Sequence, residues 1–126
     1  MSKQRLPDAE LEIMKIIWRN GEGTTSAYIM EKLEGKKEWA VTTVLNFLAR
    51  LADRGFVTVS KNGKTNIYSP IIEEEEYLKT ESKSFLERLH GNSVKSLVAS
   101  LYGGNAISND DLEELKRYID EKAVLK

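Results

Sequence analysis

The chain has 126 residues, a formal net charge of −1 and no cysteine, with 40% hydrophobic and 31% charged residues. This size suits one globular domain or two small ones. The lack of cysteine excludes disulfides, thiolate metal sites and cysteine nucleophiles. No apolar run approaches the ~20 residues of a membrane-spanning helix. Residues 1–72 hold 11 Lys+Arg against 8 Asp+Glu and residues 73–126 hold 8 against 12, so the N-terminal part favours a polyanionic partner.

The first two predicted helices lie within residues 6–33. Pro7 followed by Asp8 and Glu10 is typical of a helix start, and we predict a helix from Leu6 to Arg19. Its predicted buried face is Leu11, Met14, Ile17 and Trp18. After a break at Asn20-Gly21-Glu22-Gly23, Thr24 or Thr25 caps a second helix from Ser26 to Leu33. Its predicted inner face is Ile29, Met30 and Leu33.

A third amphipathic helix follows Trp39 and ends at Gly55, where a left-handed residue would stop it. Its apolar stripe is Val44, Phe47, Leu48 and Leu51, at the i, i+3, i+4 and i+7 spacing of one helix face. A different face carries short hydrogen-bonding groups and one guanidinium, namely Thr42, Thr43, Asn46, Arg50 and Asp53. Side chains of these types read base edges in a DNA major groove.

Two short strands, 56–60 and 65–69, follow this helix at once and are joined by Lys61-Asn62-Gly63-Lys64. An Asn-Gly pair between two β-rich segments is a strong hairpin signal. A polar-faced helix followed by a hairpin with two lysines at its tip predicts a winged helix-turn-helix. Such a domain offers the helix to the major groove and the hairpin, or wing, to the neighbouring backbone.

The predicted DNA contacts are Thr42, Thr43, Asn46 and Arg50 in the groove, and Lys61 and Lys64 on phosphates or in the adjacent minor groove. Lys36 and Lys37 are weaker candidates for backbone contact. For Leu45 we expect packing at the edge of the core, the alternative being a thymine methyl group. We expect Trp18, Trp39 and Tyr68 to pack in the core rather than to stack on bases. The alternative for the polar face is an ordinary solvated surface.

Three further helices are predicted in residues 73–126. The first begins near Glu73-Glu74-Glu75-Glu76, a solvated turn at the positive end of a helix dipole, and ends at Gly91-Asn92. Ser93 caps the second, and Ser108-Asn109-Asp110-Asp111 resembles a capping box that starts the third. Their apolar positions are Leu78, Phe85 (or Leu86), Leu89, Val94, Leu97, Val98, Leu101, Leu112, Leu115 and Ile119.

These three helices form a unit too small to bury a secure core by itself. We therefore predict that two copies pair through the apolar positions just named, as a homodimer. The alternative is a monomer in which the tail folds back on its own N-terminal half. The predicted fold is mostly α with a small β-hairpin, comprising a winged-helix domain at 1–72 and a helical dimerisation domain at 73–126.

The chain resembles the penicillinase repressor (BlaI/MecI) family of winged-helix regulators along nearly its whole length. The resemblance lies in three runs: Ala9-Glu10-Leu11-Glu12-Ile13-Met14-Lys15-Ile16-Ile17-Trp18, the segment Arg50-Leu51-Ala52-Asp53-Arg54-Gly55-Phe56-Val57, and the tail from Ser96-Leu97-Val98 to Leu112-Glu113-Glu114-Leu115. It implies a winged helix, a helical dimerisation domain and repression from an inverted-repeat operator. In characterised members, a membrane sensor triggers cleavage within the dimerisation domain, which ends repression of β-lactam resistance genes.

The chain departs from the family pattern at several places. Ala40 stands where a serine often enters the recognition helix, and Leu45 stands where a basic residue is frequent. The candidate cleavage region reads Ser100-Leu101 in place of the Asn-Phe bond of the resistance repressors. A copper-responsive branch carries cysteine pairs, which this sequence lacks.

We therefore expect a cytoplasmic repressor without an export signal, whose partners are a double-stranded DNA operator, a second copy of the chain and, through the resemblance, a sensor-linked protease. The alternative is a winged-helix module that binds protein and not DNA. We expect no cofactor, no metal, no catalytic residue and no membrane insertion. The sequence shows no phosphate-binding glycine loop and no nucleophile with a base, and its single histidine, His90, is expected to be structural.

Overall fold

A computed structural model of the chain describes residues 5–21 and 23–124. Six helices and a two-stranded antiparallel sheet follow one another in these residues. In chain order they are α1 (Asp8–Asn20), α2 (Ser26–Leu33), α3 (Val41–Asp53), β1 (Val57–Asn62), β2 (Thr65–Pro70), α4 (Glu74–His90), α5 (Val94–Gly103) and α6 (Asn109–Val124). The predicted class, mostly α with one hairpin, is confirmed.

The chain divides into two compact units, Met1–Glu81 and Ser82–Lys126. This boundary falls later than the predicted one at 72/73, because the first turns of α4 pack with the N-terminal helices. Tyr77 of α4 is buried, and its ring lies 5.7 Å from that of Trp18 and 5.9 Å from that of Phe56, centroid to centroid. Its hydroxyl oxygen accepts a hydrogen bond of 2.9 Å from the Leu6 N–H.

The core of the N-terminal unit is built from α1, α2, α3 and the hairpin. Each helix contributes residues three or four positions apart, so that one face of each turns inward. The buried hydrophobic residues from these elements and from the segment before β1 include Ile13, Met14, Ile17, Ile29, Leu33, Val44, Leu48, Leu51, Phe56, Val57 and Tyr68. The helices that form the helix-turn-helix are therefore held by a single continuous core.

Helix α1 differs from its prediction in its start and in its buried face. It begins at Asp8, and Pro7 lies outside it as the N-cap residue. The buried stripe is Glu10, Ile13, Met14 and Ile17, whereas Leu11 and Trp18 are only partly buried. The stripe is rotated because Glu10 occupies an inward position that an apolar pattern cannot reveal. For α2 the bounds are as predicted, and Thr25 is the cap, since its Oγ1 accepts from the Tyr28 N–H at 3.1 Å.

Helix α3 ends at the predicted glycine. Gly55 has a φ of +82°, and its N–H donates to the Ala52 carbonyl at 3.1 Å, while the Phe56 N–H donates to the Leu51 carbonyl at 2.9 Å. These two bonds form a Schellman motif, which satisfies carbonyls at the helix end and reverses the chain. The strand β1 therefore starts directly after the helix that it follows in sequence.

The hairpin is tighter than predicted. Asn62 pairs with Thr65, so the turn consists of Gly63 and Lys64 alone, and Lys61 lies within β1 opposite Asn66. Gly63 has a φ of +67°, as the first central residue of a type II′ turn requires. The connection between α1 and α2 also reaches this sheet, an arrangement that the sequence did not indicate.

That connection is made by Thr24, which pairs with Tyr68 of β2 as an isolated antiparallel bridge. The Thr24 N–H donates to the Tyr68 carbonyl at 3.0 Å, and the Tyr68 N–H donates to the Thr24 carbonyl at 2.7 Å. Thr24 is fully buried. The hairpin is therefore attached by backbone bonds to the connection that precedes α2.

The C-terminal unit contains α5 and α6 with the last turns of α4. Ser93 caps α5, its Oγ accepting from the Ser96 N–H at 3.0 Å. The predicted capping box is present, because the Ser108 Oγ accepts from the Asp111 N–H at 3.1 Å and the Asp111 carboxylate accepts from the Ser108 N–H at 2.8 Å. No residue of α5 or α6 is buried in the single chain.

Candidate nucleic-acid interface

The outward face of α3 carries most of the predicted base-reading residues. Thr42, Asn46 and Arg50 are exposed, and Thr43 is partly buried beside them. The opposite face of the helix holds the buried Val44, which is part of the core, so the orientation of α3 is fixed by packing. Three of the four predicted side chains are therefore presented to solvent by a rigid element.

Leu45 presents part of its apolar side chain to solvent. Its side chain is 39% exposed, and the neighbouring Val41, one helical turn earlier on the same face, is 47% exposed. The fully buried residues of α3 belong to a different stripe, which includes Leu48 and Leu51, so Val41 and Leu45 both leave apolar surface open to solvent. Val41 was not singled out from the sequence, although its i, i+4 relation to Leu45 was a usable signal.

The lysines predicted to contact the DNA backbone are all exposed. Lys61 lies on β1 and Lys64 in the two-residue turn. Lys36 and Lys37 are exposed in the connection before α3, and the Lys37 ammonium lies 5.8 Å from the centre of the Trp39 ring. The hairpin tip and the entry to α3 therefore both carry cationic side chains that are open to solvent.

An ion-pair cluster joins α1 to α3. Glu10 is 1% exposed, and one of its carboxylate oxygens lies 2.5 Å from the Arg54 guanidinium. Its other oxygen lies 3.8 Å from Nη1 of Arg50, whose guanidinium carbon is also 5.8 Å from the centre of the Phe47 ring. The buried carboxylate needs such partners, because an unpaired charge inside a protein is strongly destabilising.

The aromatic residues expected in the core do pack there. Tyr68 is buried, and Trp18 and Trp39 are partly buried against the core cluster. The Trp18 Nε1–H donates to the Ile72 carbonyl at 2.8 Å, and the Trp39 ring meets Phe47 edge-on at 5.3 Å. None of the three is presented as an exposed platform for a base.

The predicted pairing surface of the C-terminal unit is open in the single chain. Val94, Leu101 and Ile119 are exposed, the first at 60% and the last at 53%, and Leu97, Val98, Leu112 and Leu115 are partly buried. These residues line one groove between α5 and α6, together with Tyr102 and Tyr118. Phe85 and Leu89 of α4 are also exposed, as is Leu78, which belongs to the N-terminal unit.

Within residues 5–21 and 23–124, no group of three His, Cys, Asp or Glu side chains is arranged to hold a metal ion. In the same part of the chain, no helix has both the length and the apolar character needed to cross a membrane. His90 lies at the end of α4, where its Nδ1 is 2.9 Å from the Ser96 Oγ and its ring is 5.9 Å from that of Phe85. The histidine thus contacts the start of α5.

Residues 6–121 match the family model described as penicillinase repressor. The chain is 32% identical over 117 residues to the penicillinase repressor of Bacillus licheniformis, an alignment that covers 93% of this chain and 91% of the relative. It is 28% identical over the same length to the methicillin resistance regulatory protein MecI of Staphylococcus aureus strain N315, with 93% and 94% covered.

The structure is similar to that of monomeric BlaI from Bacillus licheniformis in complex with the blaP half-operator. The TM-score is 0.51 and the identity 30%, over 60% of this chain and 92% of that chain. The sequence match over most of the chain and this structural similarity agree with the resemblance found in the sequence. The chain therefore belongs to the penicillinase repressor family, whose members are transcriptional repressors and not enzymes.

Proposed function

We propose that the protein represses transcription by binding an inverted-repeat DNA operator as a homodimer, and that loss of the dimer releases the DNA. The observation that carries this proposal is the outward face of α3, which is polar and exposed and is followed at once by a hairpin with two exposed lysines. Similarity to a repressor that has been described with a half-operator supports the same conclusion.

In this proposal α3 enters the major groove. Asn46 can pair with N6 and N7 of an adenine, and Arg50 with O6 and N7 of a guanine or with a phosphate. Thr42 and Thr43 provide shorter contacts near the start of the helix. The exposed side chains of Val41 and Leu45 form an apolar surface on this side of α3, which can pack against thymine methyl groups in the groove.

The wing supplies affinity and register rather than sequence preference. Lys61 and Lys64 would contact phosphates or the adjacent minor groove, because an ammonium group on a flexible stem is a point charge without base selectivity. Each phosphate neutralised in this way releases counterions, so binding should weaken as salt rises. Lys36 and Lys37 can extend the same backbone contact toward the entry of α3.

The homodimer rests on the groove between α5 and α6. Soluble monomers rarely leave a contiguous apolar surface of this kind open, and the unit has no buried residue in either helix with which to stabilise itself. A second copy that covers this groove gives each unit a core. The pair would then present two copies of α3 to half-sites about one helical turn apart, ~34–36 Å.

Release would follow when the pairing of the tails is lost. The predicted cleavage region, Ser100-Leu101, lies inside α5, and cutting there would separate α6 from most of α5. The Ser100 carbonyl accepts from the Gly104 N–H at 3.0 Å, so a protease would have to open the last turn of α5 first. A sensor-linked protease is the partner that this step requires.

The test begins with purified protein and a pool of random-sequence duplexes, from which bound sequences are selected. We expect an inverted repeat, a dimer in sedimentation, and a log–log slope of affinity against salt of about −0.9 per phosphate contact. A chain cut after Ser100 should be monomeric and bind a single half-site. If the full chain selects no duplex at low ionic strength, the DNA-binding proposal is wrong. The alternative, a winged-helix module that binds another protein, is then favoured.

A further inference from the structure

The ion-pair cluster of Glu10, Arg50 and Arg54 connects the proposed base-reading surface to a residue on another helix. Glu10 lies in the first turn of α1 and is 1% exposed, whereas the Arg50 side chain is 58% exposed on α3. We infer that Glu10 is a positioning residue, which sets the sequence preference of DNA binding by orienting Arg50. This inference rests on the proposed function.

The two arginines have different relations to Glu10. Arg54 is the tighter partner, at 2.5 Å, and its side chain is only one-third exposed. Arg50 lies at 3.8 Å from the other carboxylate oxygen, close enough for charge attraction but beyond a direct hydrogen bond. Arg54 therefore satisfies the buried carboxylate, and Arg50 is guided by the charge while its guanidinium keeps its donors available.

A second contact restricts Arg50 further. Its guanidinium carbon lies 5.8 Å from the centre of the Phe47 ring, within the range of a cation–π interaction. The carboxylate and the ring together reduce the number of rotamers that the arginine samples before DNA arrives. Because fixing a long side chain costs conformational entropy on binding, this preorganisation favours the bidentate contact with a guanine over loose contacts with phosphates.

A structural role for Glu10 and a positioning role make different predictions. Removing its charge with Glu10→Gln keeps an oxygen that can accept from Arg54 but removes the attraction for Arg50. A purely structural residue would weaken binding to all duplexes together as the fold loosens. If Glu10 is a positioning residue, its substitution should lower the affinity for the preferred sequence. The affinity for unrelated DNA should be unchanged or higher, since the protein loses one negative charge.

The experiment compares Glu10→Gln, Arg50→Ala and the double variant in the full-length protein. Each is titrated with the duplex that the wild-type protein selects from random DNA and with a scrambled duplex of equal length. We expect Glu10→Gln to lower the ratio of the two affinities about tenfold in the presence of Arg50, within the discrimination of one bidentate contact. In the Arg50→Ala background the same substitution should leave the ratio unchanged.

An unchanged ratio in Glu10→Gln, or an equal fall in the Arg50→Ala background, would overturn the inference while the proposed function stands. A wild-type protein that selects no duplex overturns both. Thermal unfolding of each variant shows whether it is folded at the assay temperature. If Glu10→Gln is unfolded at that temperature, Glu10→Asp is used in its place. The shorter side chain keeps the negative charge but holds it one methylene farther from Arg50, so it should also lower the ratio of affinities only when Arg50 is present.

Discussion

Asn46 is the side chain from which the clearest effect on base recognition is expected, because it is exposed at the middle of α3. Asn46→Ala removes both a donor and an acceptor, so we expect a loss of ~1–3 kcal/mol on the selected duplex and relaxed preference at one base pair. Lys61→Ala is the matched control, since it should weaken all duplexes about equally and reduce the salt slope by about one. Equal losses of Asn46→Ala on selected and scrambled DNA would contradict a base contact.

Leu45 gives a separate prediction, because its exposed side chain has no hydrogen-bonding group. If it packs on a thymine methyl, replacing that thymine by uracil should weaken wild-type binding by about 0.8 kcal/mol, the value of one buried methylene-sized group. Leu45→Ala should be insensitive to the same replacement. Ile71→Ala, which alters another exposed apolar residue outside α3, should remain sensitive. Uracil scanning of the duplex by titration measures all three.

Tyr77 carries a prediction about pH. Burial raises the pKa of its phenol above the ordinary 10.0, and the nearby Glu81 carboxylate adds to this, while the Leu6 hydrogen bond and Arg5 lower the pKa in part. Above pH 10 the unfolded phenol loses its proton before the folded one does. The stabilisation from the neutral phenol is therefore complete below pH 10 and is lost as pH rises through the folded pKa.

Tyr77→Phe should cost ~1–3 kcal/mol at pH 7, because the buried Leu6 N–H loses its acceptor. The difference in free energy of unfolding between wild type and variant should shrink above pH 10. Ile71→Val is the control, because Ile71 is exposed and has no titratable group, so its small effect on the free energy of unfolding should be the same at every pH. Urea unfolding at pH 7 and at several alkaline pH values tests this, and a constant difference across that range would contradict it.

Gly55 determines how α3 passes into the wing. A residue with a Cβ at a φ of +82° is strained, so Gly55→Ala should reduce the free energy of unfolding by ~1–2 kcal/mol. Asparagine tolerates this conformation better, so Gly55→Asn should cost less. Gly103→Ala is the control, because Gly103 lies in α5 with no heavy atom within 4 Å of an added Cβ, and it should be neutral or stabilising. Thermal unfolding of the three variants and the wild-type protein measures this order of stabilities.

The elements with local signals were predictable from the sequence. Thr25 caps α2, Gly55 ends α3, and the Asn62-Gly63 pair marks the hairpin, because each signal lies within a few residues of the structure that it specifies. Contacts distant in sequence were not predictable. An acidic residue in the first turn of a helix is already explained by its favourable interaction with the helix dipole. The local pattern therefore does not reveal that Glu10 is buried against Arg54.

The same limit applied to the candidate site. The spacing of Thr42, Asn46 and Arg50 was sufficient to identify the exposed face of α3. How much of the Leu45 side chain is exposed depends on the neighbouring elements that cover it, which the pattern of a single helix does not specify. The boundary between the two units was set by Tyr77, whose burial depends on aromatic partners from α1 and the segment before β1.

For the whole molecule, the proposed dimer makes operator affinity depend on a surface that is distant in sequence from the residues proposed to contact DNA. Leu97→Asp puts an unpaired charge into the groove between α5 and α6, so we expect monomers in sedimentation and a loss of operator affinity of ~10²–10⁴-fold with half-site affinity retained. Ser100→Asp, an exposed position on the same helix, should stay dimeric. A Leu97→Asp protein that remains dimeric would show that the copies pair elsewhere.

The backbone pair between Thr24 and Tyr68 has a consequence for how repressors of this architecture can diversify. Because the link before α2 is bonded to the wing, a change in its length shifts the hairpin relative to α3. In the proposed complex, such insertions or deletions would move the lysines of the hairpin along the duplex and alter the footprint, while α3 itself stays the same. Engineers who transplant only a recognition helix would therefore inherit the host's wing geometry, and should exchange that link together with the hairpin.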